Sequence, residues 1–373
     1  MTSHIQPPVP SSRRFACETR VVSGLGCIST LANEIKFNKI TKPALVVDAG
    51  IANAGLLEQW LTQHVSSITP CISCPVNPNL DQVQQGVNEA KSDSCDGVVI
   101  IGGGSAICMG KAIAICLANP GHILDYEGNE RLKASPAPTI CVPTTAGSGS
   151  EVSRVLVLHE RGRRQEIIVR AMGSEPRVAL LDGNLLKSAP RQPLLDAGLD
   201  AVTHACESLW SRNRSIITDA LAEKALETFL DRFPTALNYR DPKALQDIIE
   251  ASCAANLACG NTGLALCHAM NTAPDVPLAH GYVNGCTLPA VAAFNRPHMD
   301  ERHQKLIDRL PKLYRELNCS GSFADGECDE NNTELFVDGS RDHPFRHNNI
   351  RETTDAECYE LLRQSGAVVA AAS

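Results

Sequence analysis

The chain has 373 residues, 43% hydrophobic and 20% charged, and a formal net charge of −8. That length exceeds a single small core and predicts two domains. The acidic balance excludes a nucleic-acid role, which needs a basic surface to displace counterions, and no apolar run approaches the roughly 20 residues that cross a bilayer.

Residues 1–14 open a segment, MTSHIQPPVPSSRRFA, without the apolar core of a secretory signal, and its prolines spoil an amphipathic transit helix. A short disordered lead-in and a cytoplasmic protein are expected. The 16 cysteines are scattered, and the CISC run at Cys71 and Cys74 has no second pair beside it. They are expected to be reduced, buried small hydrophobes.

In chain order, TRVVSGLGCISTLANEI predicts a strand, a Gly-Leu-Gly turn and a helix. KPALVVDAGI is an apolar run ending in Asp48, the pattern of a buried parallel strand. EQWLTQHV is helix-like, and a short strand and the turn PVNPN follow it. DQVQQGVNEAKSDSCD has helical spacing, and GVVIIGGGSAICMGKAIAICLA reads as strand, glycine turn and helix. APTICVPTTAGSGSEV is another strand running into a Gly/Ser/Thr turn. RVLVLHERGRRQEIIVR predicts a hairpin around Glu160 and Gly162, and RVALLD a last short strand. Strands alternating with helices imply a parallel α/β sheet over 15–189.

From Pro190 the strand signals stop. Helical spacing covers 193–212, 215–232, 243–258, 261–273 and 280–294, so 190–373 is expected to be an all-helical domain. Its polar stretch 318–354 has little apolar content and is expected to be a long or partly disordered insert before a short helix at 355–365.

Four features carry chemistry. The glycines of IIGGGSAICMGK, after a buried strand, let backbone N–H groups and a helix N-terminus approach a phosphate, although a plain tight turn competes. The hydroxyls of PTTAGSGSE suit a ligand at the carboxyl end of a strand, with a simple helix cap as the alternative. Asp48 is placed either to bond a ribose or to cap the next helix. Asp200 and His204 stand four apart on one helical face in GLDAVTHACESLW. His268 and His280 follow, completing a possible nitrogen and oxygen set for Zn2+ or Fe2+.

The order GGGS, PTTAGSGSE, D-A-x-x-H-A-x-E, then H and HGxxNGxxLPxVxxFN resembles the iron-containing (group III) alcohol dehydrogenase family over residues 17–295. NPNLDQVQQGV and RVALLDGNLLKSAP fit the same order. The resemblance implies a dehydroquinate synthase-like architecture: an α/β dinucleotide-binding domain, then a helical metal and substrate domain. It implies NAD or NADP bound by Gly102, Gly103, Gly104 and Ser105, with Thr144, Thr145, Ser148 and Asn77 around the nucleotide. Asp48 would favour NAD. Asp200, His204, His268 and His280 would hold the metal, and Thr272 and His280 would be catalytic. A small alcohol or carbonyl substrate and a homodimer are also implied.

The chain departs from the family pattern in places. Cys108 replaces an aspartate, and CMGK resembles the maleylacetate reductase branch, which suggests reduction of an acidic substrate as an alternative. Ala269 replaces a glycine and Thr272 a histidine that serves proton relay. The interval from His268 to His280 is two residues shorter than usual. These departures suggest a specialised, secondary-metabolite pathway. A cofactor-binding homologue without turnover is the third expectation, and the complete ligand set argues against it. The basic turn ERGRRQ is expected to be a solvated hairpin tip.

Overall fold

A computed structural model of the protein describes residues 12–54 and 70–369. The helix-like stretch EQWLTQHV and residues 1–11 of the lead-in lie outside the described residues.

Six parallel strands make one sheet: β1 Arg20–Ser23, β2 Pro43–Asp48, β3 Cys71–Cys74, β4 Gly97–Gly102, β6 Thr139–Pro143 and β9 Val178–Leu181. Their order is β1-β9-β6-β4-β2-β3. β4, GVVIIG, is buried at every position, as a central strand covered on both faces requires. Its residues divide by parity. Val98 and Ile100 join one core with helices α3 (Leu80–Ser92) and α4 (Gly104–Ala118). Val99 and Ile101 join another, with Leu31 of helix α1 (Leu31–Phe37). A second, three-stranded sheet holds β5 Gly128–Asn129, β7 Val155–Leu158 and β8 Ile167–Arg170. β7 and β8 pair antiparallel, which is the hairpin expected around Glu160 and Gly162.

From β2 the chain steps outward to β3, then returns to lay β4 on the other side of β2 and continues toward β6. The sheet reverses direction between β2 and β4. Loops at the carboxyl ends of strands part at such a switch point and leave a crevice for a ligand. Asp48 ends β2 and the glycine turn ends β4, so the topology brings two of the expected cofactor segments together.

Helices fill the rest. α5 (Arg191–Leu209) is buried from Leu199 through Leu209 and runs through the middle of the helical core. α6 (Ile216–Tyr239) and α7 (Pro242–Thr262) pack against it and each other. α6 outruns the expected 215–232, passing Pro234. The segment expected as a helix over 261–273 is instead the end of α7, a stop at Gly263 with φ 78°, and the four-residue α8 (Leu266–Ala269). Glycine tolerates that left-handed φ and α-helix does not, so the chain must turn there. α9 (His280–Asn295) follows.

The polar insert expected over 318–354 is corrected by the structure. It folds as α12 (Glu330–Ser340) and α13 (Pro344–Asn348), after α10 (Glu301–Ile307) and α11 (Leu310–Glu316) and before α14 (Asp355–Gln364). Four apolar residues of the insert, Phe323, Cys328, Phe336 and Val337, are buried in the main helical core, and Cys319 and Ile350 pack partly buried against it. The polar ones serve as ties: Asp329 caps α12 by accepting from Asn332 N, and buried Arg346 donates to Thr353 O and Asp355. Low apolar content predicts disorder only when the apolar residues fail to converge, and here they converge.

No described helix is long and apolar enough to cross a membrane. The cysteines of the described residues are free, and most are buried, as expected.

Candidate active site

A cavity of about 310 Å3 opens between the sheet's switch point and the helical core. Gly104, Ser105, Asn77, Thr145 and Ser148 line one end; Asp200, His204, His268, His280 and Thr272 line the other. Gly102 and Thr144 are buried behind the first group, and Thr144 N donates to Gly102 O. A Cβ on Gly104 would stand 3.0 Å from Ser148 Oγ, and one on Gly103 3.1 Å from Thr145 Oγ1. The two expected phosphate and nucleotide turns therefore face each other across a gap too tight for side chains. Asn77, at φ 47°, donates its N–H to Ser105 Oγ at 3.1 Å. Asp48 caps helix α2 (Ala49–Asn53), accepting from Gly50 N and Ile51 N, while its Cβ lies 3.1 Å from where a Cβ on Gly102 would be. It caps the helix and also stands at the crevice.

At the far end, α5 supplies Asp200 and His204 one turn apart. α8 supplies His268, and α9 begins at His280. α9 reaches this spot because of glycines. A Cβ on Gly281 would lie 2.2 Å from Asp196 O, and one on Gly285 2.7 Å from Leu199 Cδ1, so both helices need bare backbone to touch.

Asp200 Oδ1 lies 3.4 Å from His268 Nε2 and 3.8 Å from the Nε2 atoms of both His204 and His280. Ligand atoms bound about 2.1 Å from one tetrahedral ion stand roughly 3.4 Å apart. Asp200, His268 and His280 offer ligand atoms all within 4.8 Å of one another. His204 lies beside them, its ring stacked on that of His268 with centroids 4.8 Å apart. The His280 side chain is 40% exposed, whereas those of Asp200, His204 and His268 are under 10%. His280 is thus the member of the set most open to the cavity.

Four neighbours not named from the motifs complete the site. Glu207, wholly buried one turn beyond His204, accepts from His268 Nδ1 at 2.8 Å and from the backbone N–H groups of Ala265, Cys267 and His268. It caps α8 and, with its oxygen at Nδ1, turns Nε2 toward Asp200, the pairing that fixes a metal-ligating imidazole. Asn284 Nδ2 donates to Asp200 Oδ1 at 2.8 Å and lies 2.9 Å from His268 Nε2. Asn271 Nδ2 lies 3.2 Å from His280 Nδ1 and donates to Asn284 Oδ1. Glu166 enters from the β7–β8 hairpin. Glu207 and Asn284 were visible as the E of D-A-x-x-H-A-x-E and the N of HGxxNG; Asn271 and Glu166 carry no motif.

The electrostatics suit a cation. Burial alone would raise the Asp200 carboxyl, yet the three facing histidines hold it well below the usual range. Burial likewise opposes a charged Glu207, and His268 overcomes it, keeping that carboxyl low. Burial would lower His268, but Glu207 and Asp200 on its two nitrogens raise it to about 10. Two buried carboxylates thus hold their charge only against positive charge placed between them. A proton on His268 meets part of that demand, and a divalent cation at the Nε2 atoms meets all of it. The residues present fit the metal.

Residues 18–183 match the iron-containing alcohol dehydrogenase family, and residues 194–366 match the C-terminal part of the Fe-containing alcohol dehydrogenase family. The probable alcohol dehydrogenase EutG of Escherichia coli K12 is 31% identical over 301 residues, 79% of this chain and 76% of that protein. The chain belongs to the iron-containing alcohol dehydrogenase family. It is an oxidoreductase of the alcohol and aldehyde class. The NAD-dependent methanol dehydrogenase of Bacillus methanolicus is 30% identical over 78% of this chain and 77% of that protein. Among solved structures, the sulfoacetaldehyde reductase from Bifidobacterium kashiwanohense in complex with NAD+ superposes with a TM-score of 0.85 at 24% identity, covering 96% of this chain and 99% of that one. The fold expected from the motifs, a parallel-sheet half followed by a helical half of dehydroquinate synthase-like architecture, is the fold of these enzymes.

The features that departed from the family pattern have local structural roles. Lys111 of CMGK is buried and donates to Ser153 O and Val155 O, while a Cβ on Gly110 would stand 2.5 Å from Ile100. That Gly-Lys pair packs helix on strand. The turn ERGRRQ is not a free solvated tip. Arg163 pairs with Glu127, Arg164 with Asp338, and Gly162 N donates to Asp275. Arg163 and Arg164 are thus matched by carboxylates, while Arg161 stays exposed at the tip without an ion-pair partner among the described residues.

Proposed function

We propose that the protein interconverts a small alcohol and its aldehyde or ketone, using NAD and a divalent metal, iron or zinc, held by Asp200, His204, His268 and His280. The observation that carries this reading is the convergence of three imidazoles on one carboxylate oxygen, inside the cavity that the glycine turn borders. One carboxylate and three imidazoles suit either metal. When bound, the metal supplies Lewis acidity toward the substrate oxygen.

The chain's own residues do the rest. The N–H groups of Gly104 and Ser105 open a 15-residue helix, whose positive end favours a pyrophosphate. Thr145 and Ser148 border the space between that end and the metal set, where a nicotinamide has to lie for hydride exchange. Asp48 beside the turn favours a free ribose hydroxyl, hence NAD over NADP. Glu207 and Asn284 hold His268 and Asp200 in place. Thr272, whose hydroxyl donates to Ala269 O at 3.2 Å, lines the same cavity as the four ligands and offers a hydroxyl to exchange a proton with the substrate oxygen.

The test is turnover and metal content together. Purified protein is expected to carry iron or zinc, to reduce short aldehydes with NADH, and to lose that activity on chelation and regain it on metal addition. Full activity after complete chelation would sink the proposal and revive the metal-free, maleylacetate reductase-like reading; NADH binding without turnover across an alcohol and aldehyde panel would support a non-catalytic homologue. A finer test addresses Glu207. Glu207→Gln keeps the shape and loses the charge behind His268, so metal affinity measured by chelator competition should fall about 10–100-fold. An unchanged affinity would leave Glu207 as a helix cap alone.

A further inference from the structure

We propose that His159 and Glu166 form a substrate subsite that selects molecules bearing a second hydrogen-bond donor, a hydroxyl or a protonated amine, and disfavours anions. This rests on the dehydrogenase reading above and names the substrate class of the same cavity.

The argument begins with strand periodicity. Along β7 and its continuation, Val155, Val157 and His159 line the cavity; along β8, Ile168 and Arg170 do, with Glu166 just before it. The alternate residues Leu156, Leu158, Ile167 and Val169 are buried in the sheet-side core. The hairpin is therefore a two-faced wall, with one face packed and the other presented to the ligand. Register places Leu158 opposite Ile167, so His159 and Glu166 stand opposite one another on the cavity face. His159 Nδ1 lies 3.3 Å from Glu166 Oε1.

Glu166 is unusual for such a wall. Its side chain is only 10% exposed. A carboxylate has about four lone-pair sites, and His159 is its one charged partner among the described ion pairs. Burial lowers His159, so its ring supplies little positive charge, and burial pushes the Glu166 carboxyl up to about 8, so its ionised form is what a donor or cation brought by a ligand would stabilise. An acceptor kept from water and left short of donors gains most from a ligand that brings one. An anion in the same place would oppose that ionisation further and bring no donor.

The pair is also held still. Gln165 Nε2 donates to Gly339 O at 2.7 Å, Glu166 N to Thr272 O at 3.1 Å, and Arg164 Nε to Asp338 Oδ2 at 3.0 Å. These bonds tie the hairpin to the helical half at Glu166 and at the two residues before it. Specificity needs such fixed geometry. The runner-up reading, an acidic substrate, meets a carboxyl group at the Glu166 end of the wall, whereas the wall's cation, Arg170, stands four residues further along β8.

The experiment compares kcat/KM of the full-length, metal-loaded protein on matched probes in two- and three-carbon series: plain alcohol, diol, amino alcohol and hydroxy acid. Wild type is expected to favour the diol or the amino alcohol over the plain alcohol of equal length by about tenfold or more, with the hydroxy acid the poorest. In Glu166→Leu that preference should fall toward one. Glu166→Gln, which keeps an acceptor oxygen and loses the charge, should retain part of the diol preference and lose that for the amine. A preference ratio indifferent to position 166, or a wild type that favours the hydroxy acid, overturns this inference and leaves the dehydrogenase reading standing. No turnover of any probe overturns both.

Discussion

Asp200→Ala should purify without its metal and lose turnover by about a thousandfold or more. Asp200 Oδ1 is the atom on which the His204, His268 and His280 nitrogens converge, at 3.4–3.8 Å. Removing it deletes the one anionic ligand and leaves three imidazoles around a hole. The Lewis acidity of a bound ion is worth several kcal/mol of barrier, and each 1.36 kcal/mol is tenfold in rate. Metal content by elemental analysis and kcat with a short aldehyde and NADH provide the two readouts. NADH affinity should barely change, because Asp200 and the glycine turn occupy opposite ends of the cavity. A variant that loses activity while keeping its metal would place Asp200 elsewhere in the chemistry. One that keeps both would remove the metal-dependent reading altogether.

Much of this architecture was legible before any coordinates. GVVIIG and PALVVD are apolar on both parities, and only a strand covered on both faces tolerates that. The hairpin could be read from VLVLHE and QEIIVR, where alternation and a Gly turn coincide. Asp200 and His204 follow from helix geometry at i and i+4. What no local pattern supplied was convergence. Nothing near His268 tells that Glu207, sixty-one positions earlier, will meet its Nδ1, or that Glu166 will reach the same cavity from a different sheet. Long-range partners of single polar residues leave no periodic trace. Asp48 shows the opposite case: the helix cap is seen, and the cofactor contact proposed for Asp48 would be made from the same place, beside Gly102 at the end of β2.

The C-terminal segment is where composition misled, and Phe336→Ala tests the corrected view. Read as composition, 318–354 is a polar insert; read as structure, it contributes Phe336, 1% exposed, to the same core as α5, α6 and α9. Truncating a fully buried phenylalanine costs about 3–5 kcal/mol, the transfer of the ring plus the cavity left behind. Chemical denaturation of the variant should show a loss of that size, whereas Glu334→Ala, exposed on the same helix, should stay within about 0.5 kcal/mol of wild type. The effect should also reach the site. α12 packs on α8, which carries His268, and a Cβ on Gly339 would stand 3.2 Å from Thr272 Oγ1. Loosening α12 therefore frees the wall on which Thr272 and Gln165 are fixed, and kcat should fall along with stability. Were the segment a dispensable insert, the two substitutions would be indistinguishable in stability and in rate. The polar residues around Phe336 support this reading: Thr333 Oγ1 donates to Val368 O and Arg346 donates to Asp355, joining α12 and α13 to the last helix and its tail. Few apolar anchors suffice here because the polar ties add their own stabilisation and so offset part of the chain entropy lost on ordering.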